Sequence, residues 1–177
     1  THVVGGLDMI CNENIPLKLL AERLHRQILS RTDEIHYVTF FFGVYDPATG
    51  HLEYFNAGHN PPQVILPDDQ YATLDPTGQP LGLMRNAPPN DIRTFDLPEQ
   101  SMLCIFSDGI PEALVENEVY GVERLLQSAR QRCHDSLEEV VDGVFADLRD
   151  FLKNEPLEDD ATLLLLRRCP VAAESTE

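Results

Sequence analysis

The stretch YVTFFFGVY from Tyr37 to Tyr45, closed by Asp46-Pro47-Ala48-Thr49-Gly50 and resumed from His51 to Asn56, constrains the fold more than any other part of the chain. β-Branched and aromatic residues favour a pleated, half-buried strand, and Asp, Pro and Gly in succession favour a turn, so this segment predicts a β-hairpin. The same rhythm recurs twice. Gln63 to Leu66 and Tyr71 to Leu74 flank Pro67-Asp68-Asp69, and Asp91 to Leu97 and Ser101 to Phe106 flank Pro98-Glu99-Gln100. Three strand pairs joined by short turns predict antiparallel sheet.

Helical spacing brackets these strands. Between Ile15 and Leu29, apolar residues fall at 17, 20, 21, 24 and 28, which predicts an amphipathic helix. After Asp108 the spacing turns helical again over Gly121–Arg132 and Ser136–Lys153. The second has a capping residue in Ser136, with Glu139 three positions on. Leu137, Val140, Val141, Val144, Phe145, Leu148 and Leu152 then share one stripe, which is expected to lie on a sheet. Thr162 to Leu166 reads as a buried strand. Residues 1 to 11 are apolar and contain glycine, and residues 171–177 are expected to form a flexible acidic tail.

A length of 177 residues suits one domain, here residues 1–170. The formal charge of −17, from 13 Lys and Arg against 30 Asp and Glu, leaves no dominant basic face and argues against nucleic acid as a partner. No run approaches eighteen apolar residues, and no secretory signal is visible, so neither a membrane span nor export is expected. The chain opens on Thr1 rather than Met, which suits an excerpt, processing or a boundary equally. Cys11, Cys104, Cys133 and Cys169 lie far apart with no C-x-x-C pair, and are read as reduced thiols of a cytoplasmic protein.

Two Asp-centred turns carry the chemistry. MLCIF from Met102 to Phe106 runs into Ser107-Asp108-Gly109, and Glu158-Asp159-Asp160-Ala161-Thr162 immediately precedes Leu163 to Leu166. Each could merely make or cap a turn. If the two strands are neighbours, however, their carboxylates converge, and clustered anions raise one another's pKa unless a cation neutralises them. Hard oxygen ligands at rigid strand ends suit Mg²⁺ or Mn²⁺.

Four segments, in order, resemble the SpoIIE/RsbU branch of the metal-dependent (PPM-type) serine/threonine protein phosphatases. They are YVTFFFGVYDPATGHLEYFNAGHNPP from Tyr37 to Pro62, GQPLGL from Gly78 to Leu83, FSDGIPEA from Phe106 to Ala113, and DDATLLLLR from Asp159 to Arg167. The resemblance implies an α+β fold, a β-sandwich flanked by helices. It implies that Asp108 and Asp159 are metal ligands, with Asp160 a possible accessory ligand. It implies a site of two Mg²⁺ or Mn²⁺ ions roughly 4 Å apart, which activate a water that attacks phosphoserine or phosphothreonine directly. No nucleophilic side chain is then required, so no Cys is assigned a catalytic role and Ser107 is read as a turn residue. His59 could act as a general acid or fasten the strand end, and the fastening role is preferred. Gly78 to Leu83 reads as a shaped loop rather than a phosphate cradle, with Gly82 needed for backbone reasons.

The resemblance also implies a phosphorylated protein substrate of the anti-anti-sigma type and an upstream sensor or receiver in the same chain, and a homodimer is compatible with it. Two acidic elements that open such domains, a Gly-Asp-x-x-Asp strand and an Asp-x-x-Gly-x-Gly loop beginning a long helix, do not occur in these residues. Residues 1 to 14 resemble the end of that helix, so the first strands and the start of the helix are expected to be missing. A phosphatase domain read from inside its boundary therefore stands beside a second reading, a diverged domain that binds a sigma-regulatory partner without catalysis.

Overall fold

The computed structural model describes residues 15–30, 37–85, 88, 90–153 and 155–170. Expectations for residues 1–14, including Cys11, and for the tail 171–177 lie outside the described residues. The chain folds as two units, one built from segments up to His59 and from Asp75–Asp96, the other from Asn60–Leu74 and from Leu97 onward.

The first unit holds helix α1 (Leu17–Leu29) and a three-stranded antiparallel sheet of order β1-β2-β5, with β1 Phe40–Tyr45, β2 His51–Ala57 and β5 Arg93–Asp96. The expected hairpin forms in the register Phe40↔Ala57 to Tyr45↔Leu52. Its turn is closed by Asp46, whose carboxylate accepts the Thr49 hydroxyl at 2.8 Å and the Ala48 N–H at 2.9 Å. The same two bonds, that of Thr49 foremost, hold its carboxyl below the usual range. Gly50 takes φ +80°, a conformation that suits glycine. Leu17, Leu20, Ala21, Leu24 and Ile28, the predicted stripe of α1, are buried in one cluster with Phe55, Ala57 and Leu81. His25 leaves α1 to accept the Gly82 N–H at Nδ1 (3.2 Å) and to place Nε2 3.1 Å from the Met84 carbonyl. That pair of partners assigns the proton to Nε2.

The second unit holds a four-stranded antiparallel sheet of order β4-β3-β6-β9, with β3 Gln63–Ile65, β4 Tyr71–Thr73, β6 Met102–Phe106 and β9 Leu163–Arg167. Helices α2 (Gly121–Gln131) and α3 (Leu137–Phe151) share its core. Ile65, Met102, Cys104 and Phe106 meet Leu125, Leu126 and Ala129 of α2, and Val140, Val144 and Leu148 of α3. The Ser136–Glu139 capping box is present as expected, with Ser136 Oγ accepting the Glu139 N–H and Glu139 accepting the Ser136 N–H. Burial pushes the Cys104 thiol up to about 12, so it is inert at neutral pH. Cys104, Cys133 and Cys169 are free thiols. Among the described residues no helix is long and apolar enough to cross a membrane.

One strand pairing differs from expectation. Asp91–Leu97 and Ser101–Phe106 do not form a hairpin: β5 pairs with β2, and β6 lies between β3 and β9. Leu97 is fully buried, Pro98 has no N–H to give a ladder, and Gln100 sits at φ +65°. The connection thus carries the chain from one sheet to the other. A short hairpin of β7 (Leu114–Val115) and β8 (Glu118–Val119), turning at Glu116 with φ +59°, was not legible from its four strand residues.

Candidate metal-binding loops

Strand β6 is apolar and almost wholly buried, and it ends where Ser107 and the exposed Asp108 emerge. Ile110, fully buried, and Ala113 anchor the turn that follows, while the Glu112 N–H donates to the Asp108 carbonyl at 2.9 Å. Because β6 and β9 run antiparallel with Phe106 opposite Leu163, residues just after β6 and just before β9 lie at the same end of the pair. The loops carrying Asp108 and Asp159-Asp160 are therefore brought together, as the sequence required if the strands were neighbours.

Ser107 joins them. Its Oγ donates to the Asp160 carbonyl at 2.9 Å and accepts the Thr162 N–H at 2.8 Å, and its own N–H donates to the Thr162 carbonyl at 3.1 Å. Sequence reasoning read Ser107 only as part of a turn, and the bonds to residues more than fifty positions away had no local signal. Gly109 has a similar place. A Cβ there would stand 2.5 Å from the Asp160 carbonyl oxygen and 3.3 Å from that of Asp159, so glycine is required by the approach of the second loop. Asp159 accepts the Asp160 N–H at 2.7 Å through Oδ1, which fixes the carboxylate on its own loop.

Two changes test this fastening. Ser107→Ala removes two hydrogen bonds at a loop junction and is expected to lower unfolding free energy by about 1–3 kcal/mol. Gly109→Ala forces the Asp159-Asp160 main chain to shift, with a loss of about 1–3 kcal/mol. Denaturant melts of both variants matching the parent would show that the loops are not held this way.

The Asn56-to-Pro62 string and the Gly78-to-Leu83 loop form one packing unit at its first residues. Thr77 donates its N–H to the Asn56 carbonyl at 2.8 Å and accepts the Asn56 N–H on Oγ1 at 3.0 Å, and Ala57 bridges Gly78. Gly58 at φ +74° lies against Pro80, where a Cβ would come within 2.6 Å of the ring, and Gly82 takes φ +84°. The fully buried Asn56 accepts the His59 N–H on Oδ1 at 2.8 Å. The Asn56 side chain thus ties the strand end to the His59 main chain. Asn56→Ala is expected to cost about 1–3 kcal/mol, because it takes the acceptor from the His59 N–H and empties a fully buried position. A thermal melt of the variant checks it, and one matching the parent would remove Asn56 from that role.

As donors, Asp108, Asp159 and Asp160 offer hard carboxylate oxygens on adjoining loops, the chemistry that Mg²⁺ or Mn²⁺ takes. Their number fits only part of a six-oxygen shell. Among the described residues no group of three or more His, Cys, Asp or Glu converges closely enough to hold an ion.

Antiparallel sheets, covering helices and an S-D-G turn fastened to a D-D-A-T turn give this chain the fold of the PP2C-type phosphatase domains. The family model described as Stage II sporulation protein E (SpoIIE) matches residues 1–169, and the chain belongs to that family. It is 27% identical over 166 residues to the phosphoserine phosphatase RsbU of Bacillus subtilis, covering 92% of this chain and 48% of that protein. The RsbU and RsbW domains of Rv1364c from Mycobacterium tuberculosis superpose with a TM-score of 0.74 at 22% identity, over 96% of this chain and 47% of that one. The Mn-presoaked phosphatase domain of SpoIIE from Bacillus subtilis gives 0.61 at 17% identity, over 97% and 76%. The chain thus spans about half the length of the curated relative.

Proposed function

We propose that this chain is the greater part of a metal-dependent phosphoserine/phosphothreonine protein phosphatase domain in a bacterial signalling protein. The observation that carries the reading is the fastening of the Asp108 loop to the Asp159-Asp160 loop by Ser107 and Gly109, in a chain of the SpoIIE family. Asp108 and Asp159 hold divalent cations, Mg²⁺ or Mn²⁺, and Asp160 is an accessory ligand. When bound, such ions neutralise phosphoryl charge and lower the pKa of water. The chain's own part is to present anionic oxygens from strand ends that cannot drift apart, since Ser107 bonds both sides of the second loop. No side chain here is assigned as nucleophile, and the thiol nearest in sequence to the site, Cys104, is buried and protonated.

The substrate is a phosphorylated protein, and a regulator of the anti-anti-sigma type suits a family whose members include RsbU. A sensor or receiver domain attached to the same polypeptide and a cytoplasmic location complete the reading. The test is phosphate release from a phosphoserine protein by the full-length protein in Mn²⁺, with and without chelator. Release that survives chelation would exclude the metal mechanism, and no release in Mn²⁺ or Mg²⁺ would favour a partner-binding role for the domain.

A further inference from the structure

A groove of about 400 Å³ opens on the second unit at the end of the β6–β9 pair remote from the acidic loops. Met102 and Arg167 mark this end and Phe106 and Leu163 the other, about 13 Å away at ~3.3 Å per residue. Leu66, Pro67 and Pro170 give the groove accessible apolar surface above the buried Ile65 and Met102, and its charged lining is Arg130, Arg167 and Arg168 with Asp69. In a chain of 13 basic and 30 acidic side chains, three arginines around one groove are a local reversal of sign.

Their charge is only partly met. Arg130 pairs with Asp69. Arg167 donates from Nη1 to the Asp135 carbonyl at 2.6 Å and sets Nη2 3.9 Å from the Met102 sulfur. Arg168 donates from Nη1 to the Leu97 carbonyl at 2.5 Å, while its buried Nε–H has no acceptor. Carbonyl oxygens orient a guanidinium without neutralising it. Among the described residues neither Arg167 nor Arg168 has a carboxylate within ion-pair distance, although each carries five donors. Oriented, unneutralised arginines bordered by the accessible Leu66, Pro67 and Pro170 have the composition of a protein interface rather than of an ordinary acidic surface.

We propose that this groove docks an acidic segment of a protein partner, one that sets apolar side chains against Leu66, Pro67 and Pro170 and carboxylates against Arg167 and Arg168. A short segment fits better than a polyanion, because attraction to the groove is local while the net charge of −17 repels an extended anion along its length. The site is remote from the metal loops, so it governs which protein is held rather than the chemistry, and it stands whether or not the domain hydrolyses phosphate.

Fluorescence anisotropy of the chain with a labelled Glu/Leu peptide of about twelve residues and its Lys/Leu counterpart tests the sign of the groove, at about 50 and about 200 mM salt. The acidic peptide is expected to bind and to weaken with salt, whereas the basic one, drawn to the net charge of −17 elsewhere on the surface, is expected to leave Cys169 unprotected. Arg167→Gln with Arg168→Gln is expected to lower affinity about tenfold or more. Because those arginines also hold the Leu97 and Asp135 carbonyls, a second readout avoids the double variant. Cys169 lines the groove and is exposed, so bound peptide should slow its alkylation in the parent chain, read by mass spectrometry. No binding of the acidic peptide, a folded double variant with unchanged affinity for it, or unprotected Cys169 when it is saturating would each overturn the proposal. So would binding that acidic lipid vesicles compete for and the acidic peptide does not.

Discussion

Asp108→Asn, made in the protein that carries the complete SpoIIE-type domain, is expected to lower turnover by two to three decades, about 3–4 kcal/mol of transition-state stabilisation. The substitution keeps the shape of the side chain and removes only its charge. Folding should be spared, because the contacts that set this loop use other atoms: the Asp108 carbonyl accepts the Glu112 N–H, and Ser107 makes the bonds to the second loop. The Asp108 side chain itself is exposed. Asp159→Asn is expected to act alike, and the double change to cost little more than either alone, since ligands of one site act as a unit. Melting curves and rates belong together here. Near-normal turnover at saturating Mn²⁺ would remove Asp108 from the site, and a lost melt would make it a structural residue.

The second large effect concerns these 177 residues expressed alone. They are expected to bind Mn²⁺ weakly and to release almost no phosphate from a phosphopeptide. On the proposed assignment Asp108, Asp159 and Asp160 would supply only part of an octahedral shell, and an ion of that kind keeps water where protein oxygens are lacking. Among the described residues no three His, Cys, Asp or Glu side chains, these aspartates included, converge closely enough to hold an ion. Rate should fall further than affinity, because symmetric stabilisation of the attacking and leaving oxygens needs two ions. Calorimetric titration would show the opposite if the chain bound two Mn²⁺ ions more tightly than about micromolar, and robust turnover alongside it would mean that ligands outside the described residues complete the site. Solubility is a further readout, since β9 is an edge strand of its described sheet and leaves Leu164 54% exposed.

How much of the candidate site the sequence displayed depends on the residue. Asp108 and Asp159 stood out because each abuts an apolar strand, and strand ends are legible from composition. Ser107 and Gly109 did not declare their roles. A serine followed by Asp-Gly suits any turn, and only the neighbouring loop shows that its hydroxyl spans to Asp160 and Thr162. The Arg167–Arg168 groove was hidden for the same reason, since its walls come from the ends of β3, β6, α2 and β9, far apart in the chain.

The amino-acid sequence by itself determined the local elements: the Tyr37–Asn56 hairpin with its Asp46 turn, the α1 stripe, the Ser136–Glu139 cap and the apolar strands that end in acidic turns. Each is set by neighbours within a few residues, where backbone preference and turn chemistry suffice. Only the tertiary structure decided that β5 joins β2 while β6 enters the other sheet, that Thr77 pairs with the Asn56 main chain, and that Gly109 is needed for contact with Asp160. In those cases several local solutions were open, and the choice fell to the burial of Leu97, to a missing proline N–H and to partners more than twenty residues away.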